Sequence, residues 1–391
     1  MGVERIVVAG AGLAGLRTVE ELRAAGYLGE LTLIGAEPRP PYDRPPLSKQ
    51  LMLGEVHDTT LREELDSLGI GLRLGERAER LDDGSLHTDR DDYPFDRLVI
   101  ATGARPVVLP GLGRQRFLRS IDDALELRAL LRPGLRLAII GAGWIGAELA
   151  TAAISKGCQV TVVEAGPAPL AVAIGAEVGA LTVPWYEEAG VDLMLGTAVE
   201  SVQDGGLALA GGGWLAADEV ITAVGVRPEV GWLASSGVTL ENGVVVDEYL
   251  RSTVPGVYAV GDCAAFWSAR FGRRIRTEHW DGALRAPAVL AASLTGALER
   301  YDPVPYFWSE QFGRMMQYAG HHAGADKMVR RGDPAGAKWS VCWLAGRRLI
   351  AVLTVDLPKD LMQGRRLIES GTPVDPARLA DPAVPLRNAT E

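Results

Sequence analysis

Cysteine is scarce in this chain. Three occur in 391 residues, Cys158, Cys263 and Cys342, and none belongs to a Cys-x-x-Cys pair. That spacing argues against a disulfide framework and against a thiolate-held zinc or iron–sulfur centre. It suits a reducing compartment, so the chain is expected to be cytoplasmic. Histidine is also rare, and the one adjacent pair, His321 and His322, lacks the i, i+3 or i, i+4 spacing of helical metal ligands. Both are expected at the surface, and no metal site is expected. The longest apolar window, Leu137 to Ile154, contains Glu148 and three glycines. It reads as strand, turn and helix, and no membrane insertion is expected. Met1-Gly2-Val3-Glu4-Arg5 runs straight into an apolar strand, so no cleavable leader is expected.

Positive charge is missing from one long stretch. Residues 157–226 contain no Lys or Arg but nine acids, which carry nearly all of the net charge of −10. Nucleic acid is not an expected partner for such a chain. Hydrophobic residues at 47% and charged residues at 23% fit a buried globular protein, and the length suits two or three domains.

Two segments share one pattern. Arg5 to Ala9 is a short apolar strand, Gly10 to Gly15 a turn, Leu16 to Ala25 a helix and Leu31 to Ile34 a strand. Leu137 to Ile140, Gly141 to Gly146, Ala147 to Lys156 and Val160 to Val163 repeat it. Each turn has the form Gly-x-Gly-x-x-Gly: Gly10, Gly12 and Gly15, then Gly141, Gly143 and Gly146. In such a turn the first glycine permits the bend. The second lets the backbone approach a pyrophosphate, and the third lets helix and strand pack closely. Glu37 and Glu164 stand at the ends of the second strands, placed to accept from ribose hydroxyls. Two complete fingerprints imply two bound dinucleotides. A 2′-phosphate beside Glu164 would need a cation, and Ala165-Gly166-Pro167-Ala168 offers none. NADH is therefore expected in preference to NADPH.

Longer motifs carry a family resemblance. They are Pro41-Tyr42-Asp43-Arg44-Pro45-Pro46-Leu47-Ser48-Lys49, Ala101-Thr102-Gly103-Ala104-Arg105-Pro106, Tyr258-Ala259-Val260-Gly261-Asp262-Cys263-Ala264, Glu278-His279-Trp280 and Pro305-Tyr306-Phe307-Trp308-Ser309-Glu310-Gln311-Phe312-Gly313. Over essentially its whole length the chain resembles the FAD-dependent ferredoxin reductases that feed oxygenases and cytochromes P450. The resemblance implies an α/β fold of two Rossmann-like dinucleotide-binding domains, glutathione-reductase-like, followed by a C-terminal α+β domain. It divides the chain into 1–112 and 242–308 for FAD, 113–241 for NAD, and 309–391 for the C-terminal domain. It gives the first fingerprint to FAD, with Ala14, Glu37, Lys49, Ala78, Arg119, Asp262 and Trp280 at contact positions. Arg44, Thr102 and Gly103 are further FAD candidates. Ile145 and Gly225 join the second fingerprint and Glu164 for NAD. Lys49 and Glu148, from different expected domains, are the candidate catalytic pair at the site of hydride transfer. The chain departs from the family at Pro169-Leu170-Ala171-Val172, where relatives often carry arginines, and at Ala286-Pro287.

The missing thiols also bear on the exit route. Related flavoproteins pass electrons through a redox-active cysteine pair, or use a single cysteine soon after the FAD acid. This chain has Leu47-Ser48 in the second place, and Cys263 reads as a packing residue. The expected route runs from NADH to FAD and then, by single electrons, to an iron–sulfur ferredoxin. An acidic ferredoxin would dock near Arg273 and Arg274 and on the C-terminal domain, drawn by Arg270, Arg276, Arg330, Arg331, Arg347 and Arg348. Two alternatives stand beside it: a flavin NADH oxidase or peroxidase, and a redox-sensing protein like apoptosis-inducing factor. The chain is expected to be a monomer or a weak homodimer.

Overall fold

A computed structural model describes residues 4–62, 65–82 and 84–391. Met1-Gly2-Val3 of the opening segment lie outside the described residues. Contacts group the chain into two units. The first comprises Met1–Asp43, Thr59–Arg105 and Arg227–Pro305. The second comprises Arg44–Asp58, Pro106–Val226 and Tyr306–Glu391.

The first unit is built on a parallel sheet with strand order Val257–Ala259, Arg97–Ile100, Arg5–Ala9, Glu30–Gly35 and Gly71–Leu74. Its central strands are mostly apolar because a parallel sheet is covered on both faces. Ile6, Val8, Leu33, Leu98 and Ile100 are almost wholly buried. The helices Leu13–Ala24 and Trp280–Thr295 pack against each other beside it.

The second unit contains two sheets. One is parallel, in the order Asp192–Met194, Gln159–Val163, Arg136–Ile140 and Glu219–Thr222. The other is antiparallel, in the order Tyr306–Gln311, Arg314–Gly320, Arg348–Val355, Trp339–Ala345 and Lys327–Gly332. One face of the antiparallel sheet is covered by the helix Pro358–Ser370, where Gly364 leaves room for Val352. On its other face Met316, Trp339 and Leu353 share a core with Leu170, Ile174 and Trp185 of the segment after Glu164.

Both fingerprint helices begin three residues earlier than the sequence pattern suggests, at Leu13 and Trp144. The turn ends at the second glycine, which caps the helix. The third glycine already lies in the first helical turn, and it must be glycine because a side chain there would overlap the carbonyl of the first. A Cβ on Gly15 would meet the Gly10 oxygen, and one on Gly146 the Gly141 oxygen. Gly10 and Gly141 themselves take φ of 117° and 100°.

Candidate functional site

The two glycine turns have one geometry. Gly12 and Gly143 cap their helices in extended backbone, and neither helix has a side-chain cap. Each helix therefore presents N–H groups and a partial positive charge outward. A Cβ placed on Gly12 or Gly143 would meet nothing within 4 Å. The space that a side chain would fill is the space a pyrophosphate needs, so both turns fit a dinucleotide.

The first unit contains most of the predicted FAD residues. Gly261, with φ of 73°, packs against Ala14, which sets Asp262 beside the start of the fingerprint helix. Asp262 also faces His279, whose imidazole is held down to about 4 by burial, against the pull of that carboxylate. Glu37 is half-buried and accepts from the Tyr42 hydroxyl at 2.5 Å. Trp280 Nε1 donates to Asp43 Oδ1 at 2.7 Å. Tyr42 and Asp43 thus orient two predicted FAD residues, roles that sequence reasoning missed although both lie in a quoted motif. Thr102 donates to the Glu229 carbonyl at 2.6 Å, and the Gly103 carbonyl accepts from Glu229 N–H at 2.9 Å. Ala78 opens the strand Ala78–Asp82 and is half-buried.

The other FAD candidates belong to the second unit. Arg44 donates to the Arg119 carbonyl, and the Arg119 N–H donates to Asp123 at 3.0 Å. Lys49 Nζ lies 2.8 Å from Glu148 Oε2, with side chains 11% and 3% exposed. Both residues fall in one contact unit, so the pair is not a bridge between the two units. Glu148 is no solvated helix residue. Its Oε2 also accepts from Ser48, and its Oε1 accepts from Ser309 at 2.6 Å. Three donors on a buried carboxylate meet the condition under which an interior charge is tolerated.

At the second turn, Glu164 is held by two backbone N–H groups, one of them in the turn. Its Oε2 accepts from Ala142 N–H at 2.8 Å and its Oε1 from Gly166 N–H at 2.7 Å. Ile145 is 41% exposed on the fingerprint helix, and Gly225 has φ of 97° with open space where a Cβ would project.

Several expectations need correction. Arg331 is buried, pairs with Asp360 at 2.8 Å, and donates to the carbonyls of Leu379, Asp381, Pro382 and Val384. It ties the chain end to the sheet and is not a docking charge. Arg274 donates to the Val246 and Ala265 carbonyls, and Arg276 pairs with Glu278 at 2.7 Å. His321 and His322 are half-buried, with the His322 ring 5.2 Å from that of Trp343 and its Nδ1 2.9 Å from the Tyr318 hydroxyl.

The three thiols are buried, and burial raises each pKa, Cys263 to about 11 and Cys342 to about 12. Alkylating reagents near neutral pH are therefore expected to leave the folded protein unlabelled. Cys263 would hold about 100-fold less thiolate than a free cysteine. Mass spectrometry before and after denaturation checks this, and rapid labelling of the native protein would contradict it.

Comparisons with known proteins agree with this geometry. Residues 4–286 match the model of the pyridine nucleotide-disulphide oxidoreductase family, and residues 306–390 match the reductase C-terminal model. The chain is 36% identical to rhodocoxin reductase of Rhodococcus erythropolis, over 96% of this chain and 92% of the relative. It is 37% identical to the ferredoxin–NAD(+) reductase component of the p-cumate 2,3-dioxygenase system of Pseudomonas putida, over 99% and 98%. It superposes on the reductase in the crystal structure of the covalent putidaredoxin reductase–putidaredoxin complex with a TM-score of 0.94. That match has 32% identity and covers 99% of this chain and 98% of that one.

Proposed function

Since the chain belongs to the pyridine nucleotide-disulphide oxidoreductase family and ends in a reductase C-terminal domain, we infer that it is an FAD-dependent ferredoxin–NAD(+) reductase of an oxygenase or cytochrome P450 system. The observation that carries this reading is a pair of open glycine cradles in one chain whose thiols are all buried. When bound, FAD supplies the chemistry of accepting a hydride and releasing electrons one at a time. Gly10, Gly12 and Gly15 receive its pyrophosphate, Glu37 its ribose, and Asp262 its ribityl–phosphate region. Gly141, Gly143 and Gly146 receive the pyrophosphate of NADH, and Glu164 its ribose. Residues 113–241 form the NAD-binding domain, inserted between the FAD-binding segments 1–112 and 242–308. Lys49, held by Glu148, supplies fixed positive charge where negative charge develops during hydride transfer.

The reading is tested by cytochrome c reduction with NADH. Rapid reduction is expected only when an iron–sulfur ferredoxin is added. Oxygen consumption at the same rate without ferredoxin would make the protein an oxidase instead.

The partner in this reading is an acidic ferredoxin, and the enzyme works in the cytoplasm. No helix among the described residues is long and apolar enough to cross a membrane. Of the proposed docking charges, Arg273 and Arg348 suit charge reversal better than Arg274, whose guanidinium group bonds to backbone carbonyls. Arg273→Glu is expected to slow ferredoxin reduction about tenfold at low ionic strength, and less in salt, because steering acts on encounter. Flavin reduction by NADH should stay unchanged. A ferredoxin-dependent rate insensitive to both salt and charge reversal would remove this surface from the proposal.

A further inference from the structure

The second fingerprint helix, Trp144–Ser155, carries Trp144, Glu148 and Thr151 at i, i+4 and i+7, on one face. The strand Tyr306–Gln311 meets that face through Phe307 and Ser309, two residues apart. Phe307 contacts Trp144 with ring centroids 4.3 Å apart, and Ser309 donates to Glu148 Oε1 at 2.6 Å. Just past the strand, Phe312 N–H donates to Thr151 Oγ1 at 3.0 Å. One helical step of four residues rises about 6 Å and two strand residues about 6.7 Å, so the Trp144–Phe307 and Glu148–Ser309 contacts fall in step. The C-terminal sheet thereby reaches the buried carboxylate that pairs with Lys49.

Ser309 also accepts from Gln311 Nε2 at 3.0 Å. A hydroxyl has one proton, and with Gln311 donating to its oxygen that proton points to Glu148. Ser309 and Gln311 are fully buried, and Gln311 Oε1 has no hydrogen-bond partner. A buried orphan acceptor calls for an explanation. Turning the amide would set Oε1 against the Ser309 hydroxyl and draw its proton away from Glu148. With Nε2 on Ser309, Oε1 is left unsatisfied and the hydroxyl stays on the carboxylate.

We propose that Ser309, aimed by Gln311, is a positioning residue for hydride transfer. It fixes Glu148 through Oε1 so that Oε2 stays on Lys49. This inference rests on the reading of Lys49 and Glu148 as the hydride-transfer pair. Without the hydroxyl the carboxylate can rotate, and the ammonium loses its fixed place.

The test uses the holoenzyme in stopped-flow reduction by NADH, with the NADH Kd, the flavin absorption spectrum and thermal unfolding as further readouts. Ser309→Ala should lower the limiting rate of flavin reduction about tenfold, the effect of one lost hydrogen bond. FAD content and NADH Kd should stay unchanged. Ser309→Thr, which keeps the hydroxyl, should restore the rate. In a Glu148→Gln background, Ser309→Ala should add no further loss of rate, because the serine acts through that carboxylate. Gln311→Leu should give a partial loss and serves if Ser309→Ala unfolds. A wild-type rate in Ser309→Ala, or an equal loss in the Glu148→Gln background, overturns the positioning role. If Glu148→Gln is slow while Ser309→Ala is not, only the positioning role falls. If Glu148→Gln itself reduces at the wild-type rate, the reading of the catalytic pair falls first.

Discussion

Replacing Lys49 by Met is expected to slow flavin reduction by NADH about 10²–10³-fold, the usual effect of removing one aimed donor from a site of developing charge. FAD content should stay near that of the wild type. The lysine is 11% exposed and its ammonium is fixed 2.8 Å from Glu148, so its charge acts where water screens it weakly. In the proposed function this lysine stands at the reacting edge of the flavin. The substitution also leaves Glu148 buried without its cation, and breaking a buried pair costs about 3–5 kcal/mol of stability. The double variant Lys49→Met with Glu148→Gln separates the two effects. It should recover much of the stability, because no lone charge remains, while the rate stays low. Stopped-flow reduction of Lys49→Met at the wild-type rate would remove the residue from the chemistry.

What the sequence discloses and what it hides divide along physical lines. The glycine turns are legible because their chemistry is local. Gly10, Gly12 and Gly15 lie within six residues, and the Gly15–Gly10 approach is set inside that turn, although the space at Gly10 is also limited by Ala101, just past the strand Arg97–Ile100. The parallel sheets are legible for a similar reason, since strands covered on both faces are continuous apolar runs. The partners of Glu148 are not local. Ser48 is 100 residues away and Ser309 is 161 away, and nothing in the spacing of either points to a carboxylate. Their only signal is membership of the motifs around Lys49 and Gln311. Arg331 shows the opposite failure. Its charge suggests a surface, yet its place in the strand Lys327–Gly332 turns it inward to Asp360 and the carbonyls of the chain end. For a single arginine, burial is decided by sheet register and by what covers the sheet, and composition carries neither.

The preference for NADH should be at least about 10²-fold in kcat/KM over NADPH, and Glu164 explains both its direction and its size. The absence of Lys and Arg from 157–226 removes the cation that a 2′-phosphate requires. The structure adds a second reason. Glu164 is held by Ala142 N–H on one oxygen and Gly166 N–H on the other, so retreat from an incoming phosphate would break both bonds. A carboxylate and one phosphate charge about 4 Å apart repel by about 4 kcal/mol at an effective dielectric of 20, which is more than a hundredfold. A free 2′-OH meets no such penalty and gains an acceptor. Glu164→Gln should raise kcat/KM for NADPH about 10²-fold, because the repulsion is lost while one amide contact is kept. Val172, fully exposed on the short helix Ala171–Ile174 that follows Glu164, is the site at which a cation should add to that gain. Val172→Arg together with Glu164→Gln is therefore expected to bring the two coenzymes within about tenfold of each other. Steady-state kinetics with both coenzymes decide the matter. A wild-type enzyme that favours NADPH would mean that the 2′ position lies away from Glu164.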